Sequence, residues 1–189
     1  MFKSLNVLII NYEYPPVGGG GGVLCQDVAE ELVRSGHRVT VITSGFRALP
    51  PREIRNGVEI HRVSVLLRGS QNAASMVSML SYVPLAIRKA RELLWYKDFD
   101  VINTYFAIPS GPAGHYLSKR YGIPNVLYLL GGDVYDPSKF LSPHKTPGLW
   151  ATVKKVIEGA DGVIALSSDI RDSAARYFGV TRAMEVIPA

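Results

Sequence analysis

The chain has 189 residues, enough for one compact domain with a full core and too few for two ordinary ones. Its 47% hydrophobic and 20% charged residues exclude a disordered or fibrous composition, and a single cysteine, Cys25, excludes an internal disulfide and fits a reducing compartment. The net charge of +5 (pI about 9.3) suits phosphorylated ligands or anionic lipid, and no basic tract interleaved with aromatics points to nucleic acid.

The N-terminal apolar run at residues 7–10 is too short for a signal-peptide core and reads as a first strand. No later stretch is long enough to span a bilayer, so the expected location is the cytoplasm. A helix follows at residues 23–35, with Val23, Leu24, Val28, Leu32 and Val33 along one side and Gly36 as its stop. Residues 39–42 form the next strand, and Asn56-Gly57 marks a turn before a strand at 58–65, placed nearer the sheet edge. Residues 84–96 read as a helix burying Ala86, Ile87, Ala90, Leu93 and Leu94. Then come a strand at 101–104, a helix at 112–121, a strand at 126–130 and a helix at 148–158. A strand at 162–166, a helix at 168–178 and a last strand at 184–187 complete the series. The strands are continuous, β-branched apolar runs, as expected where helices cover both faces of a parallel sheet. Regular alternation of strand and helix implies right-handed βαβ units, so the expected fold is α/β: a doubly wound, mostly parallel sheet forming one Rossmann-like domain over residues 1–189.

Ligands of such sheets bind beyond the carboxyl ends of the strands. After the first strand, residues 11–22 end in five consecutive glycines, Gly18, Gly19, Gly20, Gly21 and Gly22, that run into a helix. Bare backbone and the positive end of a helix suit a diphosphate or sugar; a flexible turn is the plainer reading of the same residues. Val23 spoils a dinucleotide fingerprint and no Lys-Ser/Thr follows for a P-loop. Arg47, after the second strand, keeps an NADP-binding oxidoreductase in play as an alternative.

Two further loops share that edge. Ser110 precedes a helix and reads as an N-cap rather than a nucleophile, since Ile108 breaks the Gly-x-Ser-x-Gly pattern. Gly131 and Gly132 lead to Asp133, a carboxylate able either to accept hydrogen bonds from sugar hydroxyls or to close its own Asx-turn. Asp98 and Asp100 spell an Asp-x-Asp pair but precede their strand, which puts them at the opposite edge. His37, His61, His115 and His144 lack metal-ligand spacing, so no metal is expected. Residues 76–96 combine Met76, Val77, Met79, Leu80 and Tyr82 with Arg88, Lys89 and Arg91; this is either a core helix with a solvated basic face or a peripheral contact with anionic membrane.

Taken together, residues 7–22, 32–43, 106–111, 131–134, 160–168 and 186–188 resemble the N-terminal domain of group 1, retaining glycosyltransferases of the GT-B fold. The resemblance implies a two-domain enzyme with its site in the cleft between the halves. It implies that this half holds the acceptor, a glycan or a lipid-linked or envelope precursor, while the glycine loop approaches the diphosphate of a nucleotide-sugar donor. The nucleotide-sugar-binding C-terminal domain, with its Glu pair eight apart, is absent from residues 1–189, so no turnover is expected of this chain alone and no cofactor is expected on it. Leu130 stands where the family often has His, and Asn103 and Tyr105 replace an upstream His-x-His pair. Asp133 is then the candidate catalytic residue, Gly18 to Gly22 the donor contacts, and Asn103, Tyr105, Ser110, Gly131 and Gly132 the acceptor-side candidates. A non-catalytic sugar-phosphate binding module is the reading from a different class.

Overall fold

The computed structural model describes residues 3–47, 49–71, 75–136 and 142–188; Ala189 lies outside the described residues. In chain order the elements are β1 (Asn6–Ile10), α1 (Gly20–Arg34), β2 (Arg38–Ser44), β3 (Arg52–Arg55), β4 (Val58–Val63), α2 (Met76–Leu94) and β5 (Val101–Tyr105). They continue with α3 (Gly111–Tyr121), β6 (Asn125–Leu129), α4 (Pro147–Gly159), β7 (Gly162–Ala165), α5 (Ser168–Phe178) and β8 (Glu185–Val186). The strands make one sheet in the order β3-β4-β2-β1-β5-β6-β7-β8. Every pairing is parallel except β3 with β4.

From β1 the chain first builds outward through β2 and β4, then returns to the other side of β1 and builds through β5 to β8. The strand order therefore reverses beside β1, where an open parallel sheet forms its ligand crevice. Right-handed crossovers put α1 on one face and α2, α3, α4 and α5 on the other. On the four-helix face, Leu8, Ile10, Ile42 and Ile102 pack with Tyr82, Ala86, Leu93 and Leu117. Farther along that face, Leu127, Leu129 and Val163 pack with Val153, Val156, Ile157 and Phe178. The α1 face buries Val7, Ile9, Val39, Val41 and Ile60 against Cys25 and Ala29.

Several boundaries differ from the sequence expectation for identifiable reasons. Helix α1 begins at Gly20, so three of the five glycines belong to its first turn. Helix α2 begins at Met76, not at Pro84: Ser75 and Ser78 form a reciprocal capping box there, and Pro84 sits inside the helix. The carbonyl that Pro84 leaves without its intrahelical donor is that of Leu80, an exposed residue. Strand β4 lies near the sheet edge as expected, with β3 outside it, whose Arg-Glu-Ile-Arg sequence is too polar to read as a strand. Asp100, at the amino-terminal edge, accepts the Asn6 amide at 2.7 Å and lies 3.7 Å from Lys3.

Candidate functional site

Three loops meet at the carboxyl edge beside β1, and short polar bonds lock them together. Ser110 Oγ accepts the Tyr12 amide at 3.0 Å, joining the β1 loop to the start of α3. Ser110 is thus an interloop tie: it occupies the position before α3 but caps no amide of that helix, because its hydroxyl is used by Tyr12. Tyr12 is fixed from other directions as well. Ser44 Oγ donates to its carbonyl at 2.6 Å, and its hydroxyl shares a 2.6 Å bond with Ser78 Oγ in α2.

The five glycines play different parts. Gly18 has φ +104°, a left-handed conformation that favours glycine, and donates its amide to the Gln71 carbonyl at 2.9 Å. The Gly19 amide donates to Glu13 Oε2 at 3.0 Å. Gly20 and Gly21 open α1, so their amides have no intrahelical acceptor, and no side chain caps this end. A Cβ on Gly19 or Gly20 would point into open space, whereas one on Gly21 would stand 2.4 Å from the Phe106 ring. Gly22 is packed tightly, 3.3 Å from the Val17 carbonyl by the same measure. Gly20 therefore leaves open space at the helix N-terminus among the described residues, the Gly19 amide is held by Glu13, and Gly21 is small so that Phe106 can close over it.

Asp133 is buried, and both carboxylate oxygens are engaged. Oδ2 accepts the Ala107 amide at 2.6 Å; Oδ1 accepts those of Leu130 at 3.0 Å and Gly131 at 2.9 Å. Burial pushes its carboxyl above the usual range, and the backbone amides pull against that shift. Gly131 takes φ +120° to make this turn, and Gly132 is exposed beside it. Asn103 and Tyr105 lie elsewhere, on the α1 face of β5. The Tyr105 ring stacks on Tyr128 with centroids 4.4 Å apart; its hydroxyl is buried without a partner among the described residues, and burial raises its pKa. Leu130 packs on the same side.

Two residues at this edge escaped the sequence reading. Glu13 holds the Gly19 amide. Arg68, in the segment between β4 and α2, donates to Ser44 Oγ at 2.8 Å and to the Gln71 carbonyl at 3.0 Å, with its guanidinium 4.7 Å above the Tyr12 ring. The Gln71 carbonyl thus receives both Arg68 and Gly18, which brings a cation to the glycine loop. No local sequence signal marks Arg68, since its segment has no periodicity. Arg47 lies over the Phe46 ring at 4.9 Å. Among the described residues no three His, Cys, Asp or Glu side chains group to hold a metal ion, and no helix is long and apolar enough to cross a membrane.

A carboxyl-edge crevice with a glycine-opened helix is the arrangement of sheets that bind phosphorylated ligands, and the comparisons define the class: residues 18–189 match the model of Glycosyltransferase Family 4, and the chain belongs to that family. It is 28% identical over 193 residues to TuaC of Bacillus subtilis (strain 168), a glycosyltransferase named for teichuronic acid biosynthesis, covering 93% of this chain and 47% of that protein. Among solved structures, sucrose-phosphate synthase from Thermosynechococcus elongatus superposes with a TM-score of 0.80 at 18% identity, over 98% of this chain and 48% of that one. A second structure of that synthase gives a TM-score of 0.67 at 16% identity over 97% of this chain and 88% of that one. The chain spans about half the length of the curated relatives it matches over most of its own length. Family membership leaves the NADP-dependent oxidoreductase reading of Arg47 without support.

Proposed function

We propose that this chain is the acceptor-side half of a glycosyltransferase that transfers a sugar from a nucleotide-diphosphate donor to a glycan or lipid-linked acceptor. The observation that carries the reading is the N-terminus of α1, where among the described residues no side chain caps the helix, the Gly20 and Gly21 amides meet no acceptor and a Cβ at Gly19 or Gly20 meets nothing, beside the point where strand order reverses. Two free amides and the positive end of a 15-residue helix favour a diphosphate. Gly131 and Gly132 frame the acceptor side of the crevice, buried Ser110 ties the loops beneath it, and Asp133 acts by positioning: it holds the turn at Gly131 against Ala107. The nucleotide-binding half comes from the rest of the full-length protein, without which the leaving diphosphate has no second wall and this half does not turn over.

The test is nucleoside-diphosphate release by the full-length protein, offered a panel of nucleotide-diphosphate sugars and lipid or glycan acceptors. Acceptor-dependent release is expected. A reading frame that ends without a second α/β half, or a full-length protein that releases nothing across the panel, overturns the proposal and leaves a sugar-phosphate binding module.

The outer stripe of α2 supports a second element of the reading, peripheral contact with anionic membrane. Val77 and Leu80 are 44% and 62% exposed, followed on the same stripe by exposed Arg88 and Arg91 and by Trp95 at 90%. An apolar and basic stripe of this kind lies in a lipid interface with its apolar residues down.

A further inference from the structure

Phe106 follows directly on β5 and has φ +72°, the left-handed region that a bulky side chain rarely takes. Along β5 the side chains alternate between faces: Ile102 packs on the four-helix side, Val101 and Tyr105 on the α1 side. A continued strand would send residue 106 to the four-helix side. Phe106 instead packs with the α1-face cluster, as Tyr105 does, because the left-handed turn brings its ring back to that side. The ring ends on the first turn of α1, with Cζ 2.4 Å from where a Cβ on Gly21 would stand. It therefore bridges β5 and the end of α1, beside β1, where strand order reverses.

Three backbone bonds hold that conformation. The Phe106 amide donates to the Tyr128 carbonyl at 3.0 Å, and the Phe106 carbonyl accepts the Gly111 amide at 3.0 Å. The next amide, of Ala107, donates to Asp133 Oδ2 at 2.6 Å. Strain of this kind persists only where the surroundings over-determine it. A glycine would take the same backbone conformation at no steric cost; what it would lack is the ring. Asp133 also holds the Gly131 amide, so one path runs from Gly21 through the Phe106 ring and the Ala107 amide to Asp133 and the Gly131 turn.

We infer that Phe106 is a positioning residue for sugar transfer: it fixes the spacing between the glycine loop on the donor side of the crevice and the Gly131 turn on the acceptor side. The inference rests on the reading of the chain as half of a glycosyltransferase. Without the ring each substrate keeps its own contacts, but the distance between the two sides is no longer set. Reacting atoms must stand about 3–3.5 Å apart, and a small misplacement lets water take the sugar in place of the acceptor. In both outcomes the bond from sugar to diphosphate breaks and the nucleoside diphosphate leaves. The new bond forms to the acceptor oxygen or to a water oxygen, whose proton is released.

The test is Phe106→Gly in the full-length protein, which removes the ring and the backbone strain together and so leaves the loop able to fold. Nucleoside-diphosphate release and glycosylated product are both measured, with the nucleotide-diphosphate sugar and acceptor of the panel that transfer fastest. The expected result is a ratio of acceptor transfer to hydrolysis at least about fivefold lower than in the parent. A smaller folded fraction scales both rates alike and leaves that ratio unchanged. Stability supplies a second measurement. Gly21→Ala drives its methyl into the ring of the parent, and the resulting loss should disappear in the Phe106→Gly background. A Gly21→Ala loss of equal size in both backgrounds overturns the inference. A parent that releases nothing across the panel sinks the glycosyltransferase reading and this role with it; a parent that transfers while Phe106→Gly keeps the same ratio sinks only the positioning role.

Discussion

Asp133 Oδ2 accepts the Ala107 amide at 2.6 Å, across 26 residues of sequence, and so ties the loop after β6 to the loop after β5. The same carboxylate holds the Leu130 and Gly131 amides. Asp133→Ala leaves the buried Ala107 amide without its acceptor, at about 1–3 kcal/mol, and the part-buried Leu130 and Gly131 amides to water. The expected loss of stability is about 1–3 kcal/mol, read from urea denaturation. Asp133→Asn retains an oxygen for Leu130 and Gly131 but turns its NH2 toward the Ala107 amide, so its loss should be smaller but real. An Asp133→Ala variant as stable as the parent would remove the positioning role.

Gly20 and Gly21 are neighbours with opposite expectations. Gly20→Ala places its methyl in open space and reduces backbone freedom in the unfolded chain, which favours folding by up to about 1 kcal/mol. Gly21→Ala drives a methyl into the Phe106 ring and is expected to cost about 1–3 kcal/mol. In the full-length protein the Gly20→Ala methyl also fills part of the open space at this helix end, so KM for the nucleotide sugar should rise while Tm does not fall. Unchanged KM in Gly20→Ala would move the diphosphate away from this helix end.

The exposed stripe of α2 gives a lipid prediction. Co-sedimentation of the full-length protein with vesicles should increase with anionic lipid content and fall with salt, since Arg88 and Arg91 act through a screened field. Leu80→Asp should weaken it further by removing an apolar anchor. Binding that ignores both lipid charge and Leu80→Asp leaves α2 as an ordinary solvated helix.

Much of the fold was legible because buried parallel strands advertise themselves: the runs at residues 7–10, 39–42 and 126–130 have no other economical reading. Strand β3 was not legible, since Arg52–Arg55 alternates charge with partial burial at an edge and carries no apolar run. Pro84 suggested a helix start because proline suits a first turn, and only the Ser75–Ser78 capping box moved it back to Met76. The glycine loop could be placed, but not its division of labour, which depends on Phe106 and Glu13 arriving from distant parts of the loops. Asn103 and Tyr105 were assigned to the right strand; period-two geometry alone does not say which face they take, and they face α1. Arg68 had no signal at all, because its partners Ser44, Gln71 and Tyr12 meet it only in three dimensions.

Cys25 lies fully buried against the sheet, and burial pushes its thiol up to about 12, with a hydrogen bond from Asn11 pulling the other way. At pH 8 the thiolate fraction is then roughly one in 10,000. Iodoacetamide should leave the native protein unmodified at that pH and alkylate it after denaturation, so the modification rate tracks the population of open molecules. Rapid alkylation under native conditions would show that the α1 face opens easily at Cys25.

His61 supplies the pH test. Its side chain is 6% exposed, with Nε2 2.9 Å from Glu59 Oε1. Burial lowers its pKa, Lys89 and Arg52 add to that, and Glu59 opposes it. Glu59 also meets Arg52 at 2.9 Å and Lys97; burial alone would raise its carboxyl, but Lys97 and His61 outweigh burial and hold it below the usual range. The sign for His61 follows from the depressed value: the unfolded chain takes up the proton first, as pH falls through about 6.5, so stability is full above that pH and is lost on the way down to the folded value. The Glu59 contribution is lost at lower pH, below about 4.3. The urea midpoint should therefore fall between pH 7.5 and 5.5, and His61→Gln, which cannot titrate, should flatten that part of the profile while leaving the decline below pH 4.5 in place. A midpoint equally steep in His61→Gln and the parent would assign the upper limb to another group.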